Sequence, residues 1–436
     1  MLLGLPPSLS PSPDFGTLAW VVVPQVGYFG RIYDLNPCQG SRRVADMSEP
    51  RAHLIERMRP FTSTIFAEMS ALAVRTGAIN LGQGFPDTDG PQLILDAATE
   101  AIHSGENQYP PGPGVPELRA AVAHHQKRFY GIEADADSEI LITAGATEAI
   151  ASTILALCEP GDEVVTFEPY YDSYAASIAL AGARRRTVRL RAPDFRFDDD
   201  ELRAAFTDRT RVVLLNSPHN PTGKVFSRAE LELVARLAVE HDAVVVTDEV
   251  YEHLAFDARP HIPMTTLPGM AERTVTISSA GKTFSVTGWK IGWLHGPAEL
   301  VAAARAVKQF LTYVSGGPFQ RAVASALGLG DDFYAGLTAG MQAKRDLLCA
   351  GLRTAGFDVF PTSGTYFVIT DVASLGYDDG VDFCLRLPER AGVAAVPVSV
   401  FCDDKAAART LVRFAYCKRD EVLAEAVDRL ARLRSR

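Results

Sequence analysis

RVVLLNSPHNPTG, residues 211–223, is an aliphatic run that stops abruptly in Pro, Asn and Gly, and AVVVTDEVY, residues 243–251, has the same form. A short run rich in β-branched residues, apolar at alternate and intervening positions alike, predicts a strand buried on both faces, as in a parallel sheet. Working outward, ILIT (140–143), EVVTF (163–167) and TVTIS (274–278) are of the same type, and GWKIGW (288–293) predicts one more strand. Helical patterns lie between these runs, so the alternation predicts an α/β protein whose mostly parallel sheet is flanked by crossover helices. Ala, Leu and Val then recur at helical spacing from Pro297 to about Leu327, predicting a long helix, and strands and helices alternate again beyond it. The expected organisation is a large domain over 89–324 and a smaller α+β domain built from both chain ends, 47–88 and 325–436. Residues 1–46 are rich in Pro, Ser and Gly without a sustained period. They are expected to be a disordered or non-native extension, with Met47 as an alternative start.

Length and composition narrow the function. A chain of 436 residues, 47% hydrophobic and 22% charged, has the balance of a globular protein large enough for two domains. Its formal net charge of -10 argues against nucleic-acid binding, and the short clusters Arg42-Arg43 and Arg184-Arg185-Arg186 read as solvated surface. The six cysteines lack the paired spacing of a zinc or redox motif, so free buried thiols in a reducing compartment are expected, and no metal. Leu18–Val23 is too short to span a bilayer, and no signal core opens the chain; a cytoplasmic protein without membrane association is expected.

The chemistry-bearing residues follow the predicted strands, at the carboxyl edge where open α/β sheets bind ligands. After ILIT, the small residues Ala144-Gly145-Ala146-Thr147 open a helix whose free N–H groups suit a phosphate, although a plain helix cap involving Thr147 or Glu148 explains them equally well. After EVVTF, Tyr170-Tyr171 bring an aromatic ring to the same edge, for core packing or for a flat cofactor. The loop 217–223 presents the Asn220 amide, and a simple β-turn accounts for its Pro and Gly. Asp248 ends a run of valines, where a buried carboxylate needs a cationic partner such as a protonated pyridine nitrogen; an N-cap role is the competing reading. Lys282 follows the small residues Ser278-Ser279-Ala280-Gly281. A lysine in a loop is usually a solvated charge, but beside an aldehyde cofactor it forms an imine.

Taken together, SPHNPTG (217–223), TDEVYEH (247–253) and SSAGKTFSVTGWKIGW (278–293) resemble the fold-type I, class I pyridoxal-phosphate aminotransferases, over about residues 50–430. LGQGFPD (81–87), NQYPPGPG (107–114) and VRFAYCKRD (412–420) resemble the actinobacterial N-succinyldiaminopimelate aminotransferases and the kynurenine and glutamine aminotransferases. The resemblance implies pyridoxal 5'-phosphate as cofactor, Lys282 as the imine-forming catalytic lysine, and Asp248 paired with the pyridine nitrogen. Asn220 and Tyr251 would hydrogen-bond the ring hydroxyl and Tyr171 would stack on the ring. Ala146, Thr147, Ser279 and Lys290 would hold the phosphate, joined by Tyr109 from the partner subunit of a homodimer with shared active sites. Arg413 would take the substrate carboxylate beside Asn220, with Gly84 lining the same pocket. Lys290 stands where many relatives carry Arg, which exchanges a bidentate fork for a point charge. The implied reaction moves an amino group between an amino acid and a 2-oxo acid, 2-oxoglutarate and glutamate being the expected pair. N-succinyldiaminopimelate, in lysine biosynthesis, is the expected substrate, with kynurenine or glutamine transamination and cysteine-conjugate β-lysis as alternatives. A ligand-sensing regulator on the same scaffold would need a helix-turn-helix, for which residues 1–46 lack the pattern.

Overall fold

ILIT, EVVTF, RVVLLN, AVVVTD and TVTIS each form a strand in the computed structural model, which describes residues 53–435 apart from residue 63. The expected extension 1–46, the alternative start at Met47, Arg42-Arg43 and Cys38 lie outside the described residues. Seven strands make the larger sheet: β1 (Ile140–Thr143), β2 (Glu163–Glu168), β3 (Arg184–Arg189), β4 (Thr210–Asn216), β5 (Val244–Asp248), β6 (Thr274–Ser279) and β7 (Gly292–His295). Their spatial order is β1-β7-β6-β5-β4-β2-β3. All neighbours are parallel except β7, which runs against both β1 and β6.

Alternation along each strand divides its side chains between two cores. Val165, Val213, Leu215 and Val245 face one, which continues into the smaller sheet and includes Leu231, Val234 and Leu237 of the helix Arg228–Glu240. Val164, Val212, Leu214, Val244 and Val246 face the other, beneath the helices Gly145–Leu157, Asp172–Ala181 and Ala298–Lys308. This is why the runs lack a polar face: both sides are covered. The smaller sheet is antiparallel, with β8 (Asp358–Val359), β9 (Phe367–Asp371), β10 (Val396–Pro397) and β11 (Leu411–Ala415) in the order β10-β11-β9-β8. Beside it Ile79–Asn80 pairs with Val393–Ala394, joining early and late segments of the chain.

Three expectations are corrected. The strand expected at 288–293 begins only at Gly292, because Thr287–Trp289 closes a 3₁₀ turn and Lys290 takes a left-handed conformation with φ 56°. The long helix expected from Pro297 to Leu327 is two, Ala298–Lys308 and Gly317–Leu327; Gly316 at φ 54° turns the chain and Pro318 suits the first turn of the second helix. Arg184-Arg185-Arg186 is not merely solvated surface but part of edge strand β3, where Arg185 pairs with Asp403 at 2.6 Å and Arg186 with Glu163 at 3.8 Å. Charge on an exposed edge discourages pairing with another chain. Cys158, Cys349, Cys384, Cys402 and Cys417 are free and buried, as expected. No helix among the described residues is long and apolar enough to cross a membrane.

Candidate active site

Parallel strands bring their carboxyl ends to one edge, and antiparallel β7 delivers the residues that precede it to the same edge. A cavity of about 350 Å³ opens there. Lys282, Asp248, Tyr251, Asn220 and Arg413 line it, with Gly84, Ala146, Thr147 and Tyr171; Ser279 and Lys290 complete the expected set. Tyr109 alone lies elsewhere: it is 81% exposed and packs edge-on against Tyr313.

One end of the cavity is the N-terminus of the helix Gly145–Leu157, which has no side-chain cap on its first N–H groups. Gly145 takes φ 76°, and a Cβ there would lie 3.3 Å from Lys290 Nζ, so the lysine reaches across the helix mouth. The Glu148 carboxylate, weighed above as a cap, turns back to accept a hydrogen bond from the Ala144 N–H at 2.6 Å. Free N–H groups, a positive helix end and a lysine together form an anion site.

At the centre, Asp248 ends β5 and is buried. Its Oδ2 accepts from the Tyr174 hydroxyl at 2.5 Å and its Oδ1 from the Val250 N–H at 3.3 Å, and no ion pair is made with it among the described residues. Burial pushes its carboxyl up to about 6, although Tyr174, Val250 and nearby Lys282 pull the other way. Lys282 sits in the short turn Ala280–Thr283 with Nζ 5.9 Å from the Tyr251 ring centre and 5.8 Å from that of Tyr366. Burial lowers the basicity of its amine, and nearby Arg413 and Lys290 add to this against Cys417 and Asp248. It makes no hydrogen bond or salt bridge among the described residues.

At the far end Arg413, on β11, is 1% exposed and spans the two sheets. Nη1 donates to Asn220 Oδ1 at 2.9 Å and Nη2 to the Gly82 carbonyl at 2.8 Å, while Nε has no partner among the described residues. Its guanidinium lies 4.0 Å from the Phe367 ring centre, and burial lowers its pKa to about 10. No carboxylate pairs with it among the described residues. Gly84 must be glycine here, because a Cβ would stand 2.3 Å from the Phe367 ring.

Sequence reasoning missed two residues that set this geometry. Tyr174 donates the shortest hydrogen bond Asp248 receives. Asn216 donates to the Asp248 carbonyl at 2.7 Å and accepts from the Asn220 N–H at 2.7 Å, tying the ends of β4 and β5 together. In the sequence Tyr174 reads as one more helix residue in PYYDSY, and only its place three positions after Tyr171, on the same helical face, hints at the cavity.

The donor set fits pyridoxal phosphate on three counts: an anion site, a buried carboxylate with no cation, and a lysine of lowered basicity between them. Residues 76–430 match the family model for aminotransferase class I and II. A Mycobacterium tuberculosis protein named "Probable N-succinyldiaminopimelate aminotransferase" is 54% identical over 393 residues, 88% of this chain and 99% of the relative. The methionine aminotransferase of Escherichia coli is 42% identical over 371 residues, 85% of this chain and 96% of the relative. The solved structure of the N-succinyldiaminopimelate aminotransferase from Mycobacterium tuberculosis aligns with a TM-score of 0.86 at 55% identity, covering 87% of this chain and all of that one. The chain therefore belongs to the class I and II aminotransferases of fold type I, enzymes that use pyridoxal phosphate to move an amino group between an amino acid and a 2-oxo acid.

Proposed function

We propose that this aminotransferase acts on N-succinyldiaminopimelate, with glutamate and 2-oxoglutarate as the other pair, in lysine biosynthesis. The observation that carries the substrate is the 54% identity to the mycobacterial relative over 99% of that protein's length. The residue roles are proposed with it. Asp248 would pair with the ring nitrogen, Tyr251 and Asn220 would hold the ring hydroxyl, and Tyr171 would contact the ring. The Ala146 and Thr147 N–H groups, Ser279 and Lys290 would hold the phosphate. Tyr109, exposed on its own subunit, serves the neighbouring site of a homodimer, where the partner's Tyr109 completes the phosphate contacts. Residues 89–324 form the cofactor domain and 47–88 with 325–436 the smaller one. The cytoplasm is the proposed location, in keeping with five buried free thiols.

When bound, pyridoxal phosphate supplies the electron sink that makes an amino acid's Cα–H bond breakable. The chain supplies position and proton transfer. Arg413 pairs with the substrate α-carboxylate, which fixes the orientation of Cα; a planar guanidinium is suited to that bidentate contact. The Lys282 amine, less basic than a solvated lysine, is free to accept the Cα proton and give it up again. Phe66, Phe85 and Ile291 give the cavity its apolar walls.

The same walls favour a second reading. Beyond Lys282, Lys290 and Arg413 the cavity has no cation among the described residues, so an apolar donor such as methionine would meet more complementary surface than a distal carboxylate does. Measuring kcat/KM for N-succinyldiaminopimelate, methionine, kynurenine and glutamine with matched 2-oxo acids separates the two. We expect the succinylated substrate to lead by about tenfold or more, a margin of about 1.4 kcal/mol, on the strength of the 54% identity to the mycobacterial relative. A methionine or aromatic preference of that size would overturn the assignment in favour of the apolar donor.

A further inference from the structure

Behind the cavity lies a buried cluster that the transamination chemistry does not use. The turn after β5 sends Tyr251 into the cavity and continues into Glu252 and His253, which meet His125 of the helix Pro116–Tyr130. One ligand atom from each of His125, Glu252 and His253 lies within 4.8 Å of the others. We propose that these three residues bind one divalent transition-metal ion of the zinc type, fastening that helix to the segment that carries Tyr251.

The donor set has the composition such a site needs. Two imidazoles and a carboxylate suit Zn²⁺ and its neighbours and leave a fourth position open. The two imidazole Nε2 atoms face each other at 2.8 Å. Tetrahedral zinc, with bonds of roughly 2.0–2.1 Å, places its ligand atoms roughly 3.3 Å apart. The imidazoles therefore open by a few tenths of an ångström and the carboxylate draws in. Because the two Nε2 atoms face each other within hydrogen-bond distance, only one can carry a hydrogen there and the other offers its lone pair. The Ser278 hydroxyl donates to the Glu252 carboxylate, which favours its ionised form against the effect of burial. Neutral imidazole and ionised carboxylate are the forms that take a metal.

The surroundings supply independent signs. Gln126 Nε2 meets His125 Nδ1 at 3.4 Å, while Gln126 Oε1 is buried without a partner. Turning that amide end for end gives the His125 Nδ1–H an acceptor and frees Nε2 as a ligand, the arrangement in which metal-bound histidines are held. Ser278 Oγ donates to Glu252 Oε1 at 2.6 Å and steadies the carboxylate. His295 Nε2, also buried, has no hydrogen-bond partner among the described residues and lies within electrostatic reach of Glu252 and His125. Ser278 and Ser279 are consecutive on β6, so they project to opposite faces of the sheet: Ser279 toward the cavity, Ser278 toward the cluster.

The test uses the full chain with its cofactor bound, stripped by a chelator and then titrated with Zn²⁺ or Co²⁺. We expect one ion per chain by elemental analysis and calorimetry, and visible ligand-field bands for Co²⁺. His125→Asn and His253→Asn should lose the ion, and Ser278→Ala, which keeps all three ligands, should weaken binding about 10- to 100-fold. The cofactor's absorption band and the far-UV circular dichroism, unchanged in each variant, establish that folding is intact. Failure of the unmodified protein to take up either ion, or undiminished uptake by folded His125→Asn and His253→Asn variants, would overturn the proposal.

Discussion

Arg345 and Arg413 are both buried arginines, 8% and 1% exposed, and they illustrate opposite uses of a buried charge. Arg345 has its carboxylate: Asp257 accepts from both Nη atoms, at 2.5 and 2.9 Å, and holds the guanidinium above its usual range. Arg413 has only an amide and a carbonyl oxygen, an unpartnered Nε, and a pKa lowered by burial. A buried charge without a counter-ion is costly, so it persists where something from outside completes it. Asp248 and Lys282 belong with Arg413 in this respect, whereas Glu249, paired with His261 at 2.7 Å, belongs with Arg345. The comparison separates side chains that maintain the fold from those that await a ligand.

Replacing Lys282 with Ala is the severest test, because it removes the proton acceptor together with the attachment point for the cofactor. Turnover should fall by more than the roughly 10²–10⁴-fold of a general base alone, and the absorption band of the bound cofactor should shift. Near-normal transamination in that variant would remove Lys282 from the chemistry.

The two arginines should then part company. Arg413→Lys should lower kcat/KM by about 2–5 kcal/mol, mostly through substrate binding, with the melting temperature little changed. Arg345→Lys should do the reverse, costing about 1–3 kcal/mol of stability with activity per folded molecule retained. The cost is below that of a fully buried pair because the Asp257 side chain is 46% exposed. If both variants lost stability equally and kept KM, the distinction would collapse.

Protonation sharpens the comparison at Asp248. Its folded pKa of about 6 lies above the roughly 3.9 of an unfolded aspartate, so folded protein without cofactor binds the extra proton between those values. Stability from this group is present in full below about pH 4 and lost as pH rises to about 6, amounting to about 2–3 kcal/mol. Thermal melts of cofactor-free protein across this window should show that slope, and Asp248→Asn should flatten it. Tyr174→Phe tests the same carboxylate from the side of its donor. Loss of one hydrogen bond to a charged group, about 1.5–3 kcal/mol at most, should appear as a weakened cofactor and a shifted absorption pH profile with KM nearly unchanged.

Much of this was legible in the sequence. Aliphatic runs buried on both faces betray their strands, and the residues just beyond them, Asn220, Asp248, Tyr251 and Lys282, meet in one cavity because parallel strands end together. What escaped depends on backbone geometry or distant partners. Apolar spacing alone gives no sign of a break at Gly316, and the tight turn at Lys290 delays to Gly292 a strand that the pattern of GWKIGW starts at residue 288. Arg413 becomes singular only when its missing carboxylate is seen, and Tyr174 only when its hydroxyl reaches Asp248.

The contact between Gly145 and Gly292 constrains how such an enzyme diversifies. A Cβ on Gly292 would stand 2.5 Å from the Gly145 carbonyl carbon, so no side chain can be added at that crossing without displacing backbone. The anion-binding end is thereby closed to gradual alteration. Mutational drift that broadens or redirects substrate preference is left to the Arg413 end around Phe66 and Phe85, where exchanging one side chain remodels the wall and leaves the main chain where it is.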